Sequence, residues 1–212
     1  KTREFERQFA EYVGAKFAVF VDSGTSALFL ALKWLDVGKS SSRFIVPSLT
    51  FTATAEAIIH AGGYPYFVDI NKNTLCMDDF ISYDSLPVHL VGNRAKSEAR
   101  IYDSAHRIEN DDVKGSSALW CYSFYATKNM TTVQGGMIAT NDEKAAEWLK
   151  FARDHGITKD TEARYKNGQW KYSVNFVGWR EKSDDIHATI GIEQLKKLPL
   201  MTVERNAVVA RY

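Results

Sequence analysis

The chain has 212 residues, of which 45% are hydrophobic and 25% charged, a balance that excludes extended disorder and a membrane-embedded class and reads as soluble and globular. Lys and Arg total 27 against 26 Asp and Glu, a net charge of +1. No broad field therefore draws the chain to nucleic acid or to an anionic membrane, and any phosphate recognition must be local. The length suits one large domain or two small ones, with a sizeable core.

In chain order, KTREFERQFAEYVG opens with helical periodicity over 2–13 and lacks the uninterrupted apolar stretch of a signal peptide. The apolar run FAVFV (17–21) follows, then a helical pattern over 25–36. Further β-rich runs are RFIV (43–46), YPYFVD (64–69), PVHLV (87–91), ARIYD (99–103) and SALWCYSF (117–124). A helix is expected over 142–154 behind the capping pair Asn141-Asp142, and another over 184–197, where Ile186, Ile190, Ile192 and Leu195 can share a face. This alternation predicts an α/β sheet with helices on both faces.

The polar stretch from Thr158 to Lys171, with Gly168, reads as a surface loop. The last segment, MTVERNAVVARY, reads as a helix with no cap or turn signal after it, which raises the expectation that the chain is part of something longer. Only Cys76 and Cys121 occur, without disulfide or metal-knuckle spacing, which fits a reducing compartment. With no apolar run approaching about 18 residues, a cytoplasmic protein is expected. The histidines at 60, 89, 106, 155 and 187 show no metal-binding spacing, and no metal site is predicted.

Four segments could carry chemistry. In VDSGTSAL a strand-like run meets Ser23-Gly24-Thr25-Ser26 at the start of a helix. Amide groups and hydroxyls there can hold a phosphate, although Ser and Thr are equally the preferred helix N-caps. In RIYDSAH, Asp103 and His106 arrive at what should be the carboxyl end of a strand, the edge where α/β sheets bind ligands. A carboxylate there could pair with a protonated pyridine nitrogen, and a helix-capping Asp with a surface His is the plainer reading. YSFYATKNM places Ser123, Thr127 and Lys128 just past an apolar strand and ahead of Gly135-Gly136. A crevice lysine can form a Schiff base with an aldehyde, whereas most lysines are simply solvated. Phe51, in PSLTFTATAEAI, could stack on a planar heterocycle or pack in the core.

Taken in order, FERQFAEYVGAKFAVFVDSGTSAL, VPSLTFTATAEAIIHAGGYPYFVDI, PVHLVG, DSAH, SFYATKN and VGWREKSDDIHATIGIEQLKKL resemble the DegT/DnrJ/EryC1/StrS family of pyridoxal 5'-phosphate (PLP) sugar aminotransferases. The resemblance implies the α/β fold-type I large domain over 1–212, a mostly parallel seven-stranded sheet between helices. It makes Lys128 the lysine that binds PLP covalently and moves the proton, and Asp103 the partner of the pyridinium nitrogen. Thr25, Ser26 and Ser123 would bind the cofactor phosphate, Phe51 would stack on the ring, and His106 would lie near the ring's phenolic oxygen. Lys182 would match the residue that reaches the phosphate of a neighbouring subunit in a homodimer.

The implied reaction takes an amino group from glutamate to PLP and then to a keto-sugar carried on a nucleotide diphosphate. In family members that dehydrate sugars the Schiff-base lysine is replaced by histidine, so Lys128 argues for amino transfer. A plain nucleotide-binding domain would want a glycine-rich phosphate loop, and neither common type occurs. Two departures stand out. About 20 residues are expected to be missing between Asp69 and Asp103, enough for a helix. The family's small C-terminal domain is expected to be absent, with 199–212 resembling the start of the helix that leads to it. The alternative reading is therefore a degenerate, non-catalytic binding or regulatory module on the same fold.

Overall fold

The computed structural model describes residues 1–37, 43–78, 82, 84–157 and 172–212, so the Thr158–Lys171 stretch lies outside the described residues. Two hydrogen-bonded sheets organise the chain. In one, β1 (Phe17–Val21), β6 (Gly136–Thr140), β5 (Leu119–Ser123) and β4 (Ile101–Asp103) lie in that spatial order; in the other, β2 (Arg43–Pro47) pairs with β3 (Tyr64–Val68). Residues 85–88 close the gap between them. Ser85 bridges Ile45 of β2, Val88 bridges Asp103 of β4, and both bridges are parallel. The backbone bonds from Leu86 N to Ile45 O at 2.8 Å and from Asp103 N to Pro87 O at 2.9 Å carry the ladder across.

The result is a seven-position sheet in the order β1, β6, β5, β4, 85–88, β2, β3. Only β6 runs against the rest, in agreement with the expected mostly parallel architecture. Parallel strands need crossovers, and these place helices on both faces. On one face lie α2 (Gly24–Trp34), α3 (Thr52–Ala61) and α4 (Glu143–Ala152), whose buried residues form a core with Val19, Val46 and Ile138. On the other lie α1 (Thr2–Val13) and α5 (Asp185–Val209), packed on Phe20, Trp120 and Tyr122.

Helix α1 presents Phe5, Phe9 and Val13 at four-residue spacing, and Gly14 ends it in the left-handed conformation at φ 75°. Phe5 stands edge-on to Phe20, and Phe9 to Tyr122, each at a centroid distance of 5.0 Å. Each buried ring contributes roughly 1.5–3 kcal/mol of burial. Helix α5 differs from its expected face: Ile186 is exposed, and the buried stripe is Ala188, Gly191, Ile192, Leu195 and Leu198. A Cβ on Gly191 would lie 2.5 Å from the ring of Phe5, so the small residues, not the isoleucines, let the two helices meet.

Two elements lack the periodicity that reveals their kind. Strand β6 is buried at all five positions, so it shows no alternation, and the preceding glycines read as a turn. Helix α3 is short and rich in Ala and Thr. Conversely, the strand expected over 87–91 ends early, in a 3₁₀ turn at Leu90–Gly92 where Val91 takes φ 49°. No α-helix occurs among the described residues between β3 and β4. No described helix is long and apolar enough to cross a membrane, and no metal-binding cluster of His, Cys, Asp and Glu occurs among the described residues.

Candidate active site

The carboxyl ends of β1, β2, β4 and β5 open onto one cavity of about 480 Å³, within the range of small-molecule sites. Each strand delivers a different group to it. After β1, Ser23 caps α2 by accepting a hydrogen bond from Ser26 N at 3.0 Å, so the first turn of α2, with Gly24 and Thr25, faces the cavity. After β2, Thr50 and the exposed Phe51 lead into α3. Strand β4 ends at Asp103, with His106 just beyond, and β5 ends at Ser123, followed by Thr127 and Lys128.

Close backbone approach holds these turns together. A Cβ on Gly24 would lie 2.8 Å from that of Ser123, and one on Gly136 would lie 2.2 Å from the carbonyl oxygen of Ser23. Glycine at both positions lets the helix start sit directly on β5 and β6.

Asp103 is buried at 5% exposure. Its Oδ1 accepts from Ala105 N at 3.0 Å and its Oδ2 from the Thr54 hydroxyl at 2.8 Å. No ion pair within 4.0 Å is found for it among the described residues. Burial raises its pKa, opposed by those two hydrogen bonds and by the charges of His106 and Lys128. Burial in turn lowers the pKa of Lys128, opposed by Asp103. His106 is lowered by burial and by Lys128, with Asp103 opposing. Its Nδ1 lies 3.4 Å from Val91 N, which donates to it.

A phosphorylated pyridine aldehyde fits this donor set. It would present a cation to a buried carboxylate that has no cation in contact, an aldehyde to a lysine whose burial favours the neutral amine, and an anion to a helix start flanked by hydroxyls. Phe51, 68% exposed at the rim, offers an aromatic face for the ring.

The structure does not bring Ser26 or Lys182 to this cavity. The Ser26 hydroxyl lies 2.6 Å from Asp22 Oδ1 and also meets the Glu181 carboxylate, because its place one turn into α2 aims it away from the opening. Lys182 is bridged through its backbone to Val21 of β1, and its Nζ lies 2.9 Å from Asp154 Oδ2. It lines a second cavity of about 750 Å³ beside α1 and Arg153. Sequence reasoning overlooked Thr50 and Thr54, which flank Phe51, the N-cap of the helix that begins at the cavity.

The sequence pattern characteristic of the DegT/DnrJ/EryC1/StrS aminotransferase family matches residues 1–81 and 101–212. The chain belongs to that family. SpsC, a spore coat polysaccharide biosynthesis protein of Bacillus subtilis (strain 168), is 36% identical over an alignment of 237 residues that covers 100% of this chain and 60% of SpsC. Among solved structures, Spr1654 of Streptococcus pneumoniae in its PMP form, a candidate sugar aminotransferase, superposes with a TM-score of 0.85 at 28% identity. That match covers 100% of this chain and 64% of Spr1654; the same protein is also known in its PLP form. PseC of Helicobacter pylori, an aminotransferase involved in the biosynthesis of pseudoaminic acid, matches with a TM-score of 0.81 at 25% identity, over 94% of this chain and 58% of PseC.

The chain thus spans about 60% of the length of the curated relatives it matches. The family match skips residues 82–100, and the alignment to SpsC is longer than the 212 residues it covers. The unmatched residues lie between Asp69 and Asp103, the stretch expected to depart from the family.

Proposed function

We propose that this chain is the cofactor-binding part of a PLP-dependent aminotransferase that moves an amino group from glutamate to a nucleotide-linked keto-sugar. The observation that carries the reading is the convergence of Lys128, Asp103, Phe51 and the Ser23–Thr25 turn on one cavity at the carboxyl edge of the sheet.

When bound, PLP supplies an electron sink for the carbon that loses or gains a proton. Lys128 Nζ would hold the cofactor and, when free of it, carry the proton to be moved; its burial favours the neutral amine. Asp103 would favour a positive charge on the pyridine nitrogen. Thr25, Ser123 and the first-turn amides of α2 would hold the phosphate, Phe51 would cover the ring, and His106 would lie near the phenolic oxygen. A homodimer completes the site. For Lys182 to reach a neighbouring subunit's phosphate, it must exchange its contact with Asp154 for that phosphate.

A non-catalytic module is the second reading, favoured by the stretch 82–100 that the family pattern leaves unmatched. One experiment separates the two. The protein is incubated with PLP, reduced with borohydride and mapped by peptide mass, with and without prior exposure to glutamate. Label on Lys128 that glutamate abolishes supports amino transfer; label that glutamate leaves unchanged supports the module. Absence of label on Lys128 overturns both its assignment and the cofactor reading.

A further inference from the structure

Thr54 takes no part in the chemistry outlined so far, yet it is fully buried and donates to Asp103. Its hydroxyl oxygen also lies 2.7 Å from that of Thr50. A hydroxyl has a single proton. If Thr54 gives its proton to an ionised Asp103, then Thr54 must accept from Thr50, which fixes the direction of the chain as Thr50 to Thr54 to Asp103. Thr50 itself lines the cavity. Thr50 stands in the bend just before the N-cap Phe51 and Thr54 in the first turn of α3, so one short segment supplies both the candidate ring-stacking group and the support of the carboxylate.

We propose that Thr54 is a positioning residue for the cofactor's pyridine nitrogen: backed by Thr50, it holds Asp103 as an oriented anion whose remaining lone pairs face the cavity. The proposal rests on the reading of the cavity as a PLP site. A carboxylate offers about four acceptor positions, and Ala105 N and Thr54 occupy one on each oxygen. With Thr54 lost, a single backbone donor would remain to stabilise a charge in a dry setting, and neutralisation of Asp103 would become the easier outcome.

The test measures the dissociation constant for PLP, together with the NMR shift of PLP isotope-labelled at its ring nitrogen, in Thr54→Val, Thr54→Ser, Thr50→Ala and Asp103→Asn. Thr54→Val should weaken PLP binding about tenfold, the size of a lost hydrogen bond to a charged group, and move the nitrogen signal toward its unprotonated position. Thr54→Ser should restore both. Thr50→Ala, which leaves Thr54 its own proton, should shift the signal the same way by a smaller amount, and it serves as the test if Thr54→Val does not fold. An unchanged nitrogen signal in Thr54→Val and Thr50→Ala, alongside its loss in Asp103→Asn, overturns the proposal and leaves the PLP reading intact. An unchanged signal in Asp103→Asn overturns the assignment of Asp103 on which the proposal depends.

Discussion

Glu6 and Asp103 are both buried carboxylates, and they are connected in opposite ways. Glu6 Oε1 accepts from Phe20 N at 2.9 Å and from Arg153 Nη1 at 2.5 Å, and the same guanidinium nitrogen donates to Phe20 O. Charge, backbone and strand are closed on one another. Asp103 has only neutral donors in contact, and Lys128 and His106 influence its charge without making an ion pair with it. A buried ion pair tied to the backbone of a strand is an architectural element. A buried carboxylate without a cation in contact lowers stability and stands ready for a ligand that brings one.

The sharpest way to break this comparison is Lys128→Ala. Covalent capture of PLP and PLP-dependent amino transfer should fall by on the order of 10³-fold or more, while unfolding free energy stays within about 0.5 kcal/mol. Borohydride trapping and urea denaturation measure the two sides. A large loss of stability would mean that Lys128 belongs to the architecture after all.

Glu6→Ala should do the reverse. Removing one partner of a buried pair leaves Arg153 uncompensated, and a loss of about 3–5 kcal/mol is expected in urea denaturation. The protein that remains folded should still capture PLP on Lys128 with the affinity of the parent chain. Impaired capture in folded protein would show that the two regions are coupled.

An effect that builds only gradually, with falling pH, concerns His89, on the face of the sheet opposite Asp103. It is fully buried, its Nδ1 accepts from Ala95 N at 3.0 Å, and burial, with Arg107 and Arg94 nearby, lowers its pKa from 6.5 to about 3. Between those values the unfolded chain takes up a proton that the folded chain refuses. Stability should therefore be full above about 6.5 and decline as pH falls toward about 3, by at most about 1.4 kcal/mol per pH unit. His89→Gln should flatten that limb of the stability profile. An unchanged limb would mean that other groups govern the acid transition.

The reading of Asp103, Ser123 and Lys128 at strand ends rested on runs of apolar residues followed by polar ones, a pattern local enough to see in the chain. Phe51 and the Ser23–Thr25 turn were legible for the same reason. Thr54 was not, because its role depends on Asp103, 49 residues away. Ser26 was misplaced because adjacent residues at a helix start point in different directions, and composition does not say which one faces the opening. The face of α5 was legible in part: Ile192 and Leu195 are buried as their spacing suggested, whereas Ile186 is exposed, and the close approach of Phe5 to Gly191 fixes the contact.

Periodicity, helix caps and strand-end polar residues determined from the sequence alone that this is an α/β domain with a lysine and a carboxylate at the ligand edge, since each signal arises from neighbours within one or two turns. Only the tertiary structure decided that residues 85–88 join two sheets into one, that β6 runs against the rest, that Lys182 lies at another cavity, and that Asp103 is held through Thr54. Those outcomes depend on contacts between distant segments, where packing of whole elements rather than local preference sets the geometry.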